Sequence, residues 1–390
     1  MFGLHSKSNE YTCGLIIDIG SGSVAATIVI SDPEEKDPEI IWTKREYILI
    51  KDITSVTAPL EEIQTSIITV FLQLQEGLKK LHKLHPKIPI THIQTTISAP
   101  WNYIATKTIV LNDEKPFEVN QKLIGQLSKT AERDVHKKMS QNEILQNTEL
   151  EIIDSATIHI TVNGYPMTKL ENVQSKNVCV THMVAMTYKK ILSTLEDSIN
   201  KMLPRAKLTI HSFMYIFYQI IREKEPNISE FCLIDITSEA TEIGIVREKA
   251  LTQVTNNAFG TYSIIREIAA LCNIPKEEVL TYIRGGEHFI EAKLTEAKKE
   301  ELNCILEAYQ DKVAELFKRT GDTLAVPQTI FLHCDQATEN FFKRQIEAAM
   351  KKAANQDCEI HLITSELFND INTSDTAILL STAYFHRTIS

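Results

Sequence analysis

Runs of β-branched residues alternate with helical apolar patterns along the chain. Residues 13–30 contain two such runs around a Gly/Ser turn, which predicts a hairpin, and 40–50 predict a third strand. Apolar residues then recur at helical spacing over 59–85. Two extended runs follow at 91–99 and 103–111, so the chain opens with an α/β order of elements.

The rest of the chain continues this alternation. Further strands are predicted at 149–162, 177–186, 206–211, 328–333 and 358–363, and further helices at 119–140, 188–203, 212–223, 260–272, 275–284, 287–319, 338–354 and 375–386. Residues 230–258 repeat the opening pattern of three strands joined by short turns. Because no linker rich in proline, glycine or serine separates the parts, we expect domains that share elements.

An internal repeat places Asp18 at the position of Asp235. Six identities support the alignment: Ile17/Ile234, Asp18/Asp235, Ile19/Ile236, Ser21/Ser238, Ile28/Ile245 and Val29/Val246. Chance similarity between two apolar hairpins is the alternative, since short motifs also match by accident. A true duplication predicts two hairpin tips facing each other across a cleft, where turn amides can donate to a polyphosphate. The two aspartates would then lie within about 10 Å of each other and hold Mg²⁺ through its waters.

A second motif overlaps the first hairpin. Residues 20–25 match G-x-G-x-x-[GA], the fingerprint of dinucleotide-binding proteins. That fingerprint requires a helix after it, whereas 24–30 are rich in β-branched residues and lead into a loop that contains proline. The sequence therefore argues against a dinucleotide site.

Charge, cysteine spacing and glycine content exclude some classes of protein. The chain has 390 residues and a formal net charge of −10, so a protein that grips nucleic acid through its phosphates is not expected. Its seven cysteines are scattered without a CxxC pair, which favours a reducing cytoplasm, and no apolar run is long enough for a transmembrane helix. Only 12 residues are glycine, and phosphate-binding loops depend on glycine, so the placement of these few residues is informative.

The motifs resemble those of the actin-like ATPase superfamily, most of all its PilM/FtsA branch. Residues 18–23 resemble the first phosphate motif, 235–241 the second, and 259–260 the turn that leads into the following helix. Residues 330–342 stand where the adenosine motif belongs. The resemblance implies an α/β fold of two duplicated actin-like, ribonuclease-H-like halves around a cleft, with an inserted α+β subdomain.

The same resemblance implies domain boundaries. The first half comprises 1–90, 204–228 and 365–390, the second comprises 229–270 and 325–364, and a helical subdomain of the second half is expected at 271–324. The inserted subdomain is expected at 91–203. Trp101 within it is either an exposed anchor for a partner or a core residue.

The resemblance also implies which residues would contact ATP and Mg²⁺. The nucleotide-binding set comprises polar and glycine residues of both hairpin tips and the later turn: Asp18, Gly20, Ser21, Gly22, Ser23, Asp235, Thr237, Ser238, Thr241 and Gly260. Asp18 and Asp235 would be the metal-holding pair.

Several of these segments depart from the family pattern. Thr237 stands where the second phosphate motif has glycine, and Glu239 would repel phosphate. Residues 332–336 read LHCDQ where the adenosine motif is glycine-rich, and bulky residues at 213–215 replace small ones that face the nucleotide. We therefore expect ATP binding to be weak or lost, with little or no turnover.

The implied function is a cytoplasmic scaffold of PilM type. Such a scaffold docks the cytosolic tail of an inner-membrane type IV pilus assembly protein and reaches the membrane through that partner. The alternatives are an FtsA-like division protein that polymerises and links a cytoskeletal filament to membrane, and a small-molecule kinase of the same superfold. Self-association or a filament stays open, and nucleic acid is not an expected partner. The inserted subdomain is expected to carry the docking surface, with strands 91–99 and 177–186 offering an edge or groove to an extended peptide.

Overall fold

The strands and helices lie close to the positions that the sequence predicts. In the computed structural model of this protein, the described residues are 11–51, 58–140, 149–167, 173–285, 294–320, 326–368, 371 and 373–389. The strands are β1 (Thr12–Ile19), β2 (Ser23–Ser31), β3 (Glu39–Tyr47), β4 (Ile90–Ile97), β5 (Asn102–Val119), β6 (Leu150–Val162), β7 (Tyr165–Pro166), β8 (Val173–Tyr188), β9 (Lys207–Ser212), β10 (Phe231–Ile236), β11 (Thr241–Arg247), β12 (Ala250–Asn257), β13 (Thr329–Cys334) and β14 (Glu359–Leu362). The helices are α1 (Ala58–Leu84), α2 (Gln121–Ser140), α3 (Lys189–Met202), α4 (Phe213–Lys224), α5 (Thr261–Cys272), α6 (Lys276–Gly285), α7 (Glu296–Arg319), α8 (Glu339–Ala354) and α9 (Thr376–Ile389).

Two elements differ most in length from their predictions, and the two-residue strand β7 is not among the predicted elements. β5 continues well beyond residue 111, because a register shift between Asn112 and Phe117 absorbs the polar interruption of its pattern. The helix predicted at 287–319 runs from Glu296, and part of its predicted start, 287–293, lies outside the described residues. Among the described helices, none is long and apolar enough to cross a membrane.

Two five-stranded sheets have the same strand order, which confirms the duplication. The first sheet is β3-β2-β1-β4-β9 and the second is β12-β11-β10-β13-β14. In both sheets the first three strands are antiparallel and the last two join in parallel. Chance similarity between two hairpins does not generate two complete copies of one topology, so the two aspartates occupy equivalent strand ends.

Helices α4 and α9 lie side by side between the two sheets. α9 packs on the first sheet, where a Cβ at Gly14 would lie 2.1 Å from the Phe385 ring. α4 packs on the second sheet, where a Cβ at Gly244 would lie 2.9 Å from Met214 Sδ. The last helix of the described chain therefore covers the sheet that contains β1.

The inserted subdomain is smaller than 91–203. β4 is an inner strand of the first sheet, paired with β1 and β9, and α3 packs on α1 with Ile191 and Leu195 in the core of the first half. The insert comprises β5, α2, β6, β7 and β8, which form the sheet β5-β8-β6-β7 with α2 against one face. β8 is also paired on both sides, so neither strand predicted as a peptide edge is an edge.

Trp101 is a core residue at the junction between the first sheet and the insert. Its side chain is buried, and its indole Nε1 donates to the carbonyl oxygen of Gly20 at 3.0 Å. The ring also meets Tyr188 edge to face, with 6.3 Å between centroids. Of the two interpretations of this residue, core packing is therefore correct.

Two glycines inside helices have opposite surroundings. Gly77 in α1 faces the first sheet, where a Cβ would lie 2.7 Å from the Trp42 ring and 2.9 Å from Ile28 Cδ1. Gly125 in α2 is exposed, and a Cβ there would meet nothing within 4 Å. Gly77 permits α1 to pack closely on the sheet, whereas Gly125 makes no contact that requires a glycine.

We predict that Gly77→Ala lowers the thermal unfolding midpoint and Gly125→Ala raises it. Alanine favours a helix interior by about 1 kcal/mol over glycine at both sites. At Gly77 this gain is outweighed by overpacking against Trp42, which costs about 1–3 kcal/mol. Thermal unfolding followed by circular dichroism measures both variants, and a rise of the midpoint for both would contradict the described packing.

Candidate functional site

The tips of the two duplicated hairpins touch each other. Ser21 Oγ donates to Thr237 Oγ1 at 2.7 Å, and the backbone amide of Glu239 donates to Ser21 Oγ at 2.7 Å. All three contacting groups lie between the halves, and Ser21 and Thr237 are buried. The space directly between the tips is therefore filled by protein.

Glycine at two positions permits this close approach. A Cβ on Gly22 would lie 2.3 Å from Ser238 Oγ, and one on Gly260 would lie 2.2 Å from the carbonyl oxygen of Thr237. At the start of α5, the amides of Thr261 and Tyr262 donate to the carbonyl oxygens of Thr237 and Ser238 at 3.1 and 2.7 Å. Amides at a helix start commonly bind anions, but here the second hairpin tip already accepts from them.

A cavity of about 350 Å³ lies beside the touching tips. Four residues of the predicted nucleotide-binding set line it: Asp18, Gly20, Ser23 and Thr237. Its other walls come from β3, the end of α6, the end of β13, and the segments that begin α8 and α9. They include Arg45, Tyr47, Arg284, His333, Asp335, Glu339 and Asp375. The cavity thus combines several carboxylates with two guanidinium groups.

The remaining predicted residues lie behind the cavity wall. Ser21, Gly22 and Ser238 form the contact between the tips, and Gly260 lies beneath it. Thr241 is buried, and its hydroxyl donates to the carbonyl oxygen of Phe259 at 2.7 Å. The structure therefore brings the predicted set together, although only part of it faces the open space.

Asp18 is engaged by the protein's own cation. Arg45 Nη2 donates to Asp18 Oδ2 at 2.8 Å, and Thr96 Oγ1 donates to Asp18 Oδ1 at 2.9 Å. The same guanidinium bonds to both carboxylate oxygens of Asp375, at 2.7 and 3.0 Å. Burial alone would raise the pKa of Asp375, but the charge of Arg45 and its hydrogen bonds hold that pKa below the ordinary value.

Asp235 is engaged by His333, which faces it from the neighbouring strand. His333 Nδ1 and Asp235 Oδ1 are 2.8 Å apart, and both side chains are fully buried. Burial lowers the pKa of His333, but the bond and the charge of Asp235 outweigh it and raise the pKa overall. Within the part of the chain that the structure describes, Asp235 Oδ2 and His333 Nε2 have no hydrogen-bond partner.

A second buried carboxyl group lies next to Asp235. Glu242 on β11 pairs directly across from Asp235 and is 1% exposed, and the side chain of Asn256 is a nearby hydrogen-bonding group among the described residues. Burial, reinforced by the charge of Asp235, raises the pKa of Glu242 to about 8. Two adjacent buried carboxylates cannot both ionise cheaply, so Glu242 is protonated at neutral pH.

The arrangement does not fit the predicted Mg²⁺ site. Asp18 already bonds to Arg45 and Thr96, and Asp235 already bonds to His333. Mg²⁺ in proteins keeps several waters and carboxylate ligands that face open space, whereas these two side chains are at most 3% exposed. Over the ranges that the structure describes, no group of three or more His, Cys, Asp or Glu side chains could hold a metal ion.

Two expectations about the altered segments are refined. Glu239 does not face the cavity, because Arg266 binds both its carboxylate oxygens at 2.8 and 2.7 Å, so the predicted repulsion of phosphate does not arise there. His333, Cys334 and Asp335 do line the cavity. Burial raises the pKa of Asp335 to about 7, although Ser238 Oγ donates to it at 2.7 Å.

Sequence analysis noted His333 only as part of the altered segment 332–336, and it missed Arg45 and Asp375. Arg45 is one of several charged residues on β3, and Asp375 precedes α9. Glu242 and Glu339 were also not singled out. The one signal in the sequence that could have identified neighbours of the aspartates is strand register, since equivalent sheets pair equivalent positions. Asp18 pairs with Ala25 and Thr96, and Asp235 pairs with Glu242 and His333.

Comparison with solved structures establishes the fold. The chain is similar to the "PilM-PilN type IV pilus biogenesis complex", with a TM-score of 0.61 and 13% identity over 97% of this chain and 98% of that one. It is also matched by the ethanolamine utilization protein EutJ from Carboxydothermus hydrogenoformans, with a TM-score of 0.42 and 11% identity over 96% and 89% of the two chains. A Bacteroides thetaiotaomicron protein with actin-like ATPase fold and unknown function gives 0.40 and 11% over 98% and 99%. No protein-family model and no curated protein matches the sequence.

The predicted architecture is confirmed at the level of the fold. The chain has two duplicated halves around a cleft and an inserted α+β subdomain, and it shares its fold with the PilM-PilN complex structure. At 13% identity the similarity carries no activity with it.

We predict that Glu242→Gln reduces the pH dependence of stability. The folded protein keeps the Glu242 proton up to about pH 8, whereas an unfolded glutamate releases it near its ordinary pKa of 4.5. The folded state therefore binds more protons between these values, so the free energy of unfolding falls as pH rises through the interval. Glu242→Gln cannot ionise, and its unfolding midpoint should exceed that of the wild type at pH 8 more than at pH 5.

Thermal unfolding at a series of pH values tests this expectation. Glu301→Gln, at an exposed position of α7, is the matched control and should follow the wild type. Parallel pH profiles of Glu242→Gln and the wild type would show that Glu242 has no raised pKa in the folded state.

Proposed function

We propose that this chain is a scaffold of PilM type that docks the cytosolic tail of an inner-membrane pilus assembly protein and binds nucleotide weakly or not at all. The observation that carries the proposal is the similarity along nearly the whole length of both chains to the PilM-PilN complex, combined with a cleft whose charged groups bind each other. In this proposal the chain is cytoplasmic and meets the inner membrane only through its partner.

Three features of the cleft support weak nucleotide binding. The hairpin tips touch through Ser21 and Thr237, so a polyphosphate would have to separate them. The first amides of α5 are already bonded to the second tip. Asp18 is bound to Arg45, so a metal that accompanies a nucleotide would have to displace a buried guanidinium.

The inserted sheet supports a docking role through its outer strand. β6 pairs along its length with β8. On its other side, within the described residues, Thr161 and Val162 pair with the two-residue β7, and the amide of Met167 donates to the carbonyl oxygen of Ile160. Most of the outer edge of β6 is thus unpaired within the sheet, and Ile152 on it is 48% exposed. An unpaired edge beside an exposed apolar side chain suits an extended peptide, which adds as a further strand.

A kinase would require features that this cleft does not have in the described residues. A kinase needs a nucleotide held with a metal and an ionised acid free to accept a proton. Asp18 and Asp375 are bound to Arg45, and burial raises the pKa of Asp335 to about 7. We therefore favour the scaffold, and no observation specific to a division protein favours the FtsA-like alternative.

We predict that Mg-ATP binds weakly, with a dissociation constant well above about 10 μM. Each of the three features described above needs to cost only about 1.4 kcal/mol of binding free energy to weaken binding tenfold. Isothermal titration calorimetry measures the constant for the wild type and for Asp18→Ala. Binding at or below about 10 μM that disappears in Asp18→Ala would establish a working nucleotide site and overturn this part of the proposal.

We predict that Ile152→Asp reduces capture of the membrane partner about tenfold or more, because a charge on β6 opposes an added apolar strand. The measurement is quantitative mass spectrometry of proteins that co-purify with the tagged chain from detergent-solubilised membranes. Val110→Asp, on the other outer strand of the insert, and Leu72→Asp, on α1, change side chains of similar exposure and are the controls. Equal capture by Ile152→Asp and both controls would remove the β6 edge from the docking surface.

A further inference from the structure

Arg45 is the central cation of the cleft. Its guanidinium makes four hydrogen bonds, at 2.7 Å from Nε to Asp375 Oδ2, 2.8 Å from Nη1 to Ser23 Oγ, 2.8 Å from Nη2 to Asp18 Oδ2 and 3.0 Å from Nη2 to Asp375 Oδ1. Its side chain is only 12% exposed. Such a buried, multiply bonded guanidinium is a fixed part of the structure.

The two carboxylates that Arg45 joins belong to distant parts of the chain. Asp18 lies near the end of β1, and Asp375 lies just before α9, where its Oδ1 also accepts from the amide of Ile378 at 3.1 Å. The carboxylates of Asp18 and Asp375 both lie within hydrogen-bond distance of the same guanidinium. Without that cation between them, the two negative charges would repel each other. Arg45 therefore connects the first hairpin to the start of α9 by charge as well as by hydrogen bonds.

A divalent cation bound between Asp18 and Asp375 would link the same two elements in the same way. A bound metal neutralises facing carboxylates and fixes the elements that carry them. Asp18 was one of the two residues expected to hold Mg²⁺, and it is bonded to a guanidinium instead. A planar guanidinium suits this task because it bonds two carboxylates at once and keeps its charge when buried.

We propose that Arg45 takes the place of a divalent cation in this cleft, and that removal of its guanidinium uncovers a cation site formed by Asp18 and Asp375. In the wild type the two carboxylates are unavailable to Mg²⁺. In Arg45→Ala they face the space that the guanidinium leaves, and a hydrated Mg²⁺ can bridge them. Arg45 has this role whether or not the chain docks a membrane protein.

The experiment is thermal unfolding of the wild type and Arg45→Ala across a series of MgCl₂ concentrations up to about 10 mM, which exceeds the dissociation constants of weak carboxylate sites. Each point is matched by NaCl of equal ionic strength. We expect Arg45→Ala to unfold at a lower temperature than the wild type. Mg²⁺ should raise its midpoint by about 2 °C or more in a concentration-dependent way, while the wild-type midpoint stays unchanged.

Two control variants connect the rescue to these carboxylates. Arg45→Ala/Asp375→Asn removes one of the two ligands and should lose the response to Mg²⁺. Arg266→Ala uncovers the single carboxylate of Glu239 and should not respond either. If Arg45→Ala does not fold, Arg45→Gln, which keeps the length of the side chain without its charge, takes its place.

The result that overturns the proposal is equally direct. Stabilisation of the wild type by Mg²⁺ over the same range would mean that the guanidinium does not exclude the metal. A folded Arg45→Ala or Arg45→Gln without any response would mean that no latent cation site exists. Either result leaves the docking proposal untouched, because the capture experiment does not depend on Arg45.

Discussion

The direct contact between the two hairpin tips determines how the rest of the cleft is used. Because Ser21 meets Thr237, the open space lies beside the tips and not between them. The same contact gives Gly22 and Gly260 a purpose different from the one their motifs imply, since both permit protein to approach protein. A cleft that in its architecture suits a phosphate chain is held together here by hydroxyl groups and backbone amides.

Duplication and divergence explain the charges in this cleft. The two sheets place Asp18 and Asp235 at equivalent strand ends, with Thr96 and His333 at equivalent neighbouring positions. On the other side, Ala25 is the equivalent of Glu242. A buried carboxylate is costly without a partner, and each half supplies one in its own way: a guanidinium in the first half, and an imidazole in the second.

Much of the fold could be predicted from the sequence because its elements have strong periodic patterns. The repeat around Asp18 and Asp235 predicts two equivalent sheets. The described helices, and the strands other than β7, follow from helical spacing and β-branched runs. The structure places β4 in the first sheet and not in the insert, and the pattern of a single strand does not reveal which sheet it joins. Arg45 and Asp375 escaped attention because 330 residues separate them, and no local pattern records such a pairing.

The position of α9 has a consequence for how the protein is made. The face of the first sheet near Gly14 is completed by Phe385, and Gln94 on β4 donates to the carbonyl oxygen of Ser381, 287 residues later. During synthesis from the N-terminus, the strands β1 to β4 therefore emerge long before the helix that covers them. The first half cannot close its core as an independent unit, and its apolar face stays exposed until the second half has been translated. The core of the first half is therefore completed only when α9 has been synthesised, so the first half does not finish folding before the second half.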